Sequence, residues 1–98
     1  MKLMDYEVEV LRTTYQNNGS LAIIIQTTEG EPFATLTVNL ASGIAEGNYA
    51  YVDTNNCTWA EKFIKENELG TPTGIMGYSG FCEYPLYLFD TTKIKEAK

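Results

Sequence analysis

The chain of 98 residues has no histidine and only two cysteines, Cys57 and Cys82. Histidine is the usual general base near neutral pH, so its absence disfavours Ser-His-Asp and Cys-His nucleophile arrangements and most zinc hydrolases. Two cysteines cannot supply the about four ligands of a structural zinc site. We therefore expect no metal, no cofactor and no enzymatic activity. The thiols are expected to be free unless the fold brings their Cα atoms within about 7 Å.

Cationic residues are also scarce, with 7 lysines and arginines against 13 aspartates and glutamates and a formal net charge of −6. Direct nucleic-acid binding requires cations that displace counterions from phosphates, so we expect none. Binding to an anionic membrane surface is disfavoured for the same reason. The charge permits a basic protein partner or mimicry of nucleic acid, although it is also typical of a protein kept soluble by modest repulsion.

Long hydrophobic runs are missing as well. The longest is Leu21 to Ile25, far below the roughly 20 residues of a membrane span, and no apolar signal segment of about 7–15 residues is present. We expect a cytoplasmic protein with one hydrophobic core. The predicted organisation is a single domain over residues 1–90, followed by a short, frayed, basic tail over residues 91–98.

Alternating apolar residues predict several β-strands. The asparagine–glycine pair at Asn18-Gly19 and the turn at Glu29-Gly30 separate the first three, which we expect to form an antiparallel meander. Residues 41–48 are predicted to be a loop or a single turn. Pro85 marks the last strand as an edge or a bulge. The predicted strands are Tyr6–Leu11, Leu21–Thr27, Phe33–Leu40, Tyr49–Asp53 and Phe81–Phe89.

One helix is predicted over residues 59–69. Thr58 and Glu61 have the spacing of a capping box, and Glu61 with Lys65 forms an (i, i+4) pair. Gly70 stands where a C-terminal cap belongs, and residues 71–80 are rich in turn formers and predict a loop. The order β-β-β-β-α-β indicates an α+β fold, with an antiparallel sheet of about five strands and one helix packed on one face.

The densest polar segment lies between the fourth strand and the helix, at Asp53, Asn55, Asn56 and Trp59. Free N–H groups before a helix can hold an anion. The side chains of Asp53 and Asn55 offer oxygen ligands of the type that a hard cation accepts, although the bidentate glutamate of a calcium loop is missing. The alternative is an Asx-turn with a helix cap. Cys57 precedes the helix, where the helix dipole would lower the pKa of a thiol, so a reactive cysteine is a further alternative.

Tyrosines cluster in the second half of the chain. Tyrosine is enriched at binding surfaces because it is amphipathic and loses little entropy on ordering. The alternative is that tyrosines only cover a face of the sheet. The candidate binding residues of this type are Tyr49, Tyr51, Tyr84 and Tyr87, with Tyr78 nearby.

Carboxylates could form a face that mimics nucleic acid. Glu7 and Glu9 share one face of the first strand, and Glu29 and Glu31 flank a turn glycine, with Glu46 as further material. The same pattern is typical of an ordinary solvated surface. A pair of carboxylates for acid–base chemistry is a weaker interpretation of Glu7 and Glu9.

Three stretches carry a resemblance to a known family: GEPFATLTVNL at residues 30–40, YVDTNNC at residues 51–57 and SGFCEYPLY at residues 79–87. Together they resemble, over roughly residues 15–90, a family of uncharacterised small acidic proteins. It is a domain of unknown function found in bacteria, plasmids, other mobile elements and phages. The resemblance implies a genomic context and no activity, and it raises the expectation of a role against host defence or in element maintenance.

Three hypotheses about function follow. The first is a non-enzymatic accessory or binding protein that acts through a protein partner. The second is an inhibitor of a restriction or CRISPR nuclease that uses an acidic, nucleic-acid-mimicking face. The third is a small-ligand binder or enzyme that uses the corner from Asp53 to Trp59, which would require a pocket there.

Overall fold

The structure is a computed structural model and describes residues 1–40 and 45–97. Residues 41–44 of the predicted loop at 41–48, and residue 98 of the predicted tail, lie outside the described residues. The elements in chain order are β1 (Lys2–Leu3), β2 (Tyr6–Thr14), β3 (Leu21–Thr27), β4 (Pro32–Thr35), β5 (Thr37–Val38), β6 (Tyr49–Val52), α1 (Ala60–Glu66), β7 (Gly70–Ser79), β8 (Cys82–Phe89), a 3-10 helix (Thr91–Lys93) and β9 (Lys95–Glu96).

The α+β class and the antiparallel pairing are confirmed, but the strands divide between two sheets. The first sheet is 5-stranded, with β1, β2, β3 and β4 in order and β9 beside β2. The predicted meander is confirmed in β2–β3–β4. Both predicted turns close it, with Gly19 at φ +71° and Gly30 at φ +89°. Positive φ costs glycine little, which is why these positions terminate the strands.

The chain passes from the first sheet to the second at Leu36. The N–H of Leu36 donates to the Ile23 carbonyl at 2.8 Å, and the Leu36 carbonyl accepts from the N–H of Asp53 at 2.8 Å. The buried hydroxyl of Thr37 accepts from the N–H of Ile23 at 3.1 Å and bonds to the Tyr15 hydroxyl at 3.0 Å. The prediction of one strand over residues 33–40 is therefore wrong, because Leu36 separates β4 and β5, which lie in different sheets.

The second sheet is 4-stranded, in the order β5-β6-β8-β7. The prediction of a loop over residues 71–80 is wrong, since β7 occupies this segment. The pairing of β7 with β8 shifts register between Pro72 and Met76. Gly74 lies in this irregularity and adopts the positive φ of +85° there. Glycine and proline in a strand mark a bulge or an edge, and here they mark both.

Helix α1 is shorter than predicted and is capped differently. Trp59 occupies the N-cap without a side-chain hydrogen bond, so the predicted capping box of Thr58 and Glu61 is wrong. Nor do Glu61 and Lys65 form an ion pair among the described residues. The helix ends at Glu66, with Asn67 as its C-cap, and Gly70 belongs to β7. A Cβ on Gly70 would lie 2.8 Å from the Leu88 carbonyl oxygen, so glycine there permits the close approach of β7 to β8.

Two hydrophobic clusters lie on opposite faces of the second sheet. The main core joins the first sheet, α1 and the inner face of β6 and β8, where Ile23, Val52, Ile64 and Phe89 are at most 2% exposed. The alternation along β6 and β8 places a second, smaller cluster on the other face. Its buried members are Leu40, Tyr51, Tyr84 and Leu86.

The C-terminal segment is ordered where the structure describes it, and the prediction of a frayed tail is wrong. Strand β9 pairs with β2 in parallel, with Lys95 opposite Leu11. Ile94 is 2% exposed in the main core, and its carbonyl accepts from Arg12 Nε at 3.1 Å. Among residues 1–40 and 45–97, no helix is long and apolar enough to cross a membrane.

Candidate functional site

The polar corner before α1 is a hydrogen-bonded turn. One Asp53 carboxylate oxygen accepts from the N–H of Asn56 at 3.3 Å and the other from Asn56 Nδ2 at 3.0 Å. The Asp53 carbonyl accepts from the N–H of Cys57 at 2.8 Å. Asn55 is exposed, and Trp59 is half-buried against Phe63, edge to face at 5.9 Å between ring centroids. The Asp53 side chain closes a turn, as in the alternative interpretation, but its backbone hydrogen bond reaches Asn56, three residues on, and no side chain caps α1. A role for the corner in binding stays a prediction.

Cys57 lies in the main core. It is 6% exposed, and its Sγ lies 3.7 Å from the Thr35 carbonyl oxygen. Burial raises the pKa of the Cys57 thiol, and the nearby Asp53 carboxylate raises it further. The expectation of a pKa lowered by the helix dipole is therefore wrong. Both cysteines are free thiols, as expected.

The four candidate tyrosines separate by burial. Tyr51, Tyr84 and Tyr87 are 3%, 8% and 4% exposed, so they fill the two clusters on either side of the second sheet. Tyr49 is 40% exposed at the start of β6. Of these four tyrosines, Tyr49 is therefore the one whose ring is accessible from solvent.

The predicted acidic residues gather by topology at one end of the first sheet. Glu7 and Glu9 follow the start of β2, and the turn with Glu29 and Glu31 joins β3 to β4 beside it, because Val8 pairs with Thr27. All four are exposed. The N-terminal ammonium group contacts Glu7 at 3.2 Å, and Lys2 pairs in register with Glu7, so cations interrupt this surface. Mimicry of nucleic acid stays a prediction.

The β7–β8 hairpin exposes large apolar side chains, of which only Tyr78 stood near the candidate tyrosines in the sequence. Phe81 at the tip is 107% exposed, and Tyr78, Ile75 and Met76 are 58%, 48% and 39% exposed. Register places Met76 opposite Pro85 and Tyr78 opposite Glu83 on one face of the hairpin. The signal in the sequence was the charge pattern: from Gly70 to Phe89, Glu83 is the only charged residue.

A groove of about 980 Å³, called here the α1 groove, lies between α1 and the ends of β7 and β8. Tyr87 lies at its edge toward the core, and its hydroxyl donates to Glu61 Oε2 at 2.5 Å. Burial raises the pKa of Tyr87, and the hydrogen bond to the Glu61 carboxylate raises it further. The charged residues that line the groove are Glu61, Lys62, Lys65, Glu68, Asp90 and Lys93.

The described residues hold no group of three or more histidine, cysteine, aspartate or glutamate side chains that could bind a metal ion. The fold and these surfaces define a small α+β protein of two sheets and one helix, with an apolar hairpin and a separate charged groove. Residues 8–98 match a family described as a domain of unknown function, DUF4313, and the chain belongs to that family. No curated protein and no solved structure matches the chain.

Proposed function

We propose that the protein is a non-enzymatic binding protein that docks a protein partner on the β7–β8 hairpin. The observation that carries this proposal is the exposure of Phe81, Tyr78, Ile75 and Met76 on one hairpin. Met76 and Tyr78 lie on one face of the hairpin, and Phe81 lies at its tip. Exposing large apolar side chains near one another is unfavourable in a free protein, and such groups mark interaction sites. Burying an aromatic side chain of this size in an interface contributes about 1.5–3 kcal/mol.

The backbone of the hairpin supports the same proposal. Strand β7 ends the order β5-β6-β8-β7, so within the described chain only one of its edges is paired. Free sheet edges bind extended segments of other proteins, and main-chain hydrogen bonds then supply affinity. Edges that avoid such pairing usually carry charged side chains, and β7 carries none. Pro72 and the bulge beside it leave Met76 to Ser79 as the pairing segment.

The chemistry of the partner follows from the hairpin. A surface with Glu83 as its only charge selects a partner segment that is extended, apolar and uncharged, because buried charges without a partner are costly. The missing histidine and the internally bonded Asp53 support a binding role over an enzymatic one. The resemblance to proteins of plasmids, mobile elements and phages supports a partner in host defence or element maintenance.

The test is a capture experiment with photocrosslinking. The full chain, with Phe81 replaced by p-benzoylphenylalanine, is expressed in a bacterial host, irradiated and purified, and its covalent adducts are identified by mass spectrometry. The same crosslinker at Met4, exposed in the turn between β1 and β2, is the matched control. The proposal expects an adduct specific to position 81 that Tyr78→Ser and Ile75→Ser abolish in combination.

Three outcomes decide against it. Equal adducts at both positions would indicate nonspecific contact, and no adduct at position 81 would remove the hairpin as the docking surface. An adduct with a second copy of the chain would replace the foreign partner with self-association, which sedimentation of the purified protein would measure. Circular dichroism of each variant checks that the fold is retained.

A further inference from the structure

We propose that the partner segment adds one antiparallel strand to the outer edge of β7, hydrogen-bonded to Met76 and Tyr78, with an apolar side chain at each of its two bonding residues. This inference rests on the proposed docking at the β7–β8 hairpin and adds the register and the side-chain pattern of the docked segment. The register follows from which main-chain groups of β7 are directed toward β8.

The main-chain groups of β8 alternate in direction. The N–H of Phe89 donates to the carbonyl of Asn48, which precedes β6, at 2.9 Å. The Leu86 carbonyl accepts from the Thr73 hydroxyl of β7 at 2.9 Å. Because successive residues of a strand bond to opposite sides, the odd-numbered residues of β8 bond toward β6 and the even-numbered residues toward β7. Pro85 fits this alternation, since its missing N–H falls on the side of β6 and costs no bond to β7.

The same alternation assigns the bonding residues of β7 near the hairpin turn. Tyr84 and Cys82 are even-numbered residues of β8, so their main-chain groups are directed toward β7. They pair in register with Gly77 and Ser79, respectively. Gly77 and Ser79 are therefore the residues of this segment whose N–H and C=O groups bond to β8.

Met76 and Tyr78 alternate with those two residues, so their N–H and C=O groups are directed to the outer edge of the sheet. Strand β7 ends the order β5-β6-β8-β7, and within the described chain no strand pairs with this edge. An added antiparallel strand would exchange two hydrogen bonds with each of the two residues. The antiparallel direction is favoured because every strand pair of the second sheet is antiparallel and because this pairing is slightly the more stable per residue.

The register also sets the side-chain pattern of the partner. Directly opposite residues of an antiparallel pair place their side chains on the same face, with Cβ atoms about 4.5–5.5 Å apart. The two bonding residues of the partner thus lie beside Met76 and Tyr78, which are 39% and 58% exposed. Apolar side chains at these two positions, which are two residues apart, would cover both. Glu83 is the only charged residue of the hairpin, in a chain of net charge −6, so an acidic segment is disfavoured.

The register is tested first in the free protein. Amide hydrogen exchange of the ¹⁵N-labelled full chain, followed by NMR, should be faster at Met76 and Tyr78 than at Gly77 and Ser79, because only the latter two donate within the sheet. Equal exchange at the four positions, or the reverse order, would overturn the register.

The docked segment is tested with short random peptides displayed on phage and selected on the immobilised full chain. The proposal expects enriched peptides with apolar residues two positions apart, and slower amide exchange at Met76 and Tyr78 when such a peptide is bound. N-methylation of the peptide at either of these two positions should raise its dissociation constant at least about threefold, the loss of one hydrogen bond. N-methylation of the residue between them should not, because its N–H is directed away from β7.

Two variants of one residue supply the matched comparison in the protein. Met76→Ala and Met76→Pro both remove the methionine side chain, but only proline also removes the N–H at the outer edge. The peptide should bind Met76→Pro at least about threefold more weakly than Met76→Ala. Circular dichroism of both variants checks that the fold is retained.

The outcomes separate this inference from the docking on which it rests. Equal affinity of the two Met76 variants, or a dissociation constant that does not depend on the position of N-methylation, would overturn the register and leave docking at the hairpin in place. A selection that enriches no peptide sensitive to the combined Tyr78→Ser and Ile75→Ser substitutions would overturn both.

Discussion

The ring of Tyr51 lies directly against Gly77, so that a Cβ on Gly77 would be 2.5 Å from Tyr51 Cε1 and 2.6 Å from Leu40 Cδ1. Strand β8 separates the two residues in the sheet, because Tyr51 pairs with Leu86 and Gly77 pairs with Tyr84. The missing side chain of Gly77 is what allows the Tyr51 ring to cover β7. This contact attaches the part of β7 near the hairpin turn to the second hydrophobic cluster.

The first prediction is that Gly77→Ala lowers the free energy of unfolding by about 1–3 kcal/mol, as overpacking of a well-filled core does. Urea denaturation followed by circular dichroism measures the change. Ser79→Ala on the same strand is the control and should have little effect. In a double-mutant cycle, Tyr51→Leu should relieve part of the cost of Gly77→Ala; strict additivity of the two substitutions would show that Tyr51 is not the obstacle.

The second prediction concerns the hydrogen bond between Tyr87 and Glu61. Tyr87→Phe should lower the free energy of unfolding by about 1 kcal/mol at pH 7, the usual net value of such a bond. The pKa of Tyr87 is raised in the folded state, so the phenol releases its proton more easily in the unfolded chain. The contribution of Tyr87 is therefore complete below the unfolded pKa of about 10 and is lost as the pH rises above it.

The measurement is the free energy of unfolding of the wild type and of Tyr87→Phe between pH 8 and pH 11. The difference between the two proteins should shrink, and can change sign, toward the alkaline end of this range. Tyr49→Phe, at an exposed position, is the control for the general titration of tyrosine. A difference that stays constant with pH would contradict the assigned hydrogen bond.

The third prediction is that Ile94→Ala lowers the free energy of unfolding by about 2–4 kcal/mol, within the range for deletion of a buried isoleucine. Ile94 is 2% exposed and belongs to the main core. Thermal and urea unfolding measure the effect, and Lys95→Ala, at the next and exposed position, is the control. If Ile94→Ala were as stable as the control, residues 94–97 would not be an integral part of the fold.

The fourth prediction concerns the two thiols. Cys57 is buried with a raised pKa, and Cys82 is only half-buried. Because the thiolate is the reactive form, iodoacetamide at pH 8 should alkylate Cys82 at least about tenfold faster than Cys57. Mass spectrometry of tryptic peptides at successive times gives both rates. In urea the rates should become similar; faster labelling of Cys57 in the folded protein would restore the hypothesis of a reactive cysteine.

Local patterns predicted much of the first sheet. The period-two alternation of β2, the apolar β-branched run of β3 and the turn glycines Gly19 and Gly30 are properties of a few neighbouring residues, and the structure has the strands and turns that they predict. The α+β class followed from the same local signals. The existence of α1 was also predicted, but its ends were wrong. Contacts from elsewhere in the chain replace the predicted local roles of two residues: the Glu61 carboxylate accepts from the Tyr87 hydroxyl, and Gly70 pairs with Phe89 of β8.

The candidate site was predicted less well than the fold. Residue type alone predicted three binding tyrosines, Tyr51, Tyr84 and Tyr87. Whether a ring can contact a partner depends on how its face of the second sheet is covered, and a hydrophobic cluster covers each of these rings. Ile75 was not a candidate because residues 71–80, rich in glycine, predicted a loop. Phe81 was not a candidate because it only began the predicted last strand. Lys62 and Lys65 could not be placed in a groove before the position of α1 beside β7 and β8 was known.

The sequence by itself determined the absence of histidine-dependent chemistry, the net negative charge, the class of the fold and the turns of the meander, because composition and short-range backbone preferences decide these. Only the tertiary structure decided that Leu36 divides one predicted strand between two sheets, that the segment before Ser79 is an edge strand, and that residues 94–97 complete the first sheet. Each of these depends on hydrogen bonds and packing between residues far apart in the chain. Local backbone preference cannot specify such contacts, because the residue that each one bonds to or packs against depends on the arrangement of the whole chain.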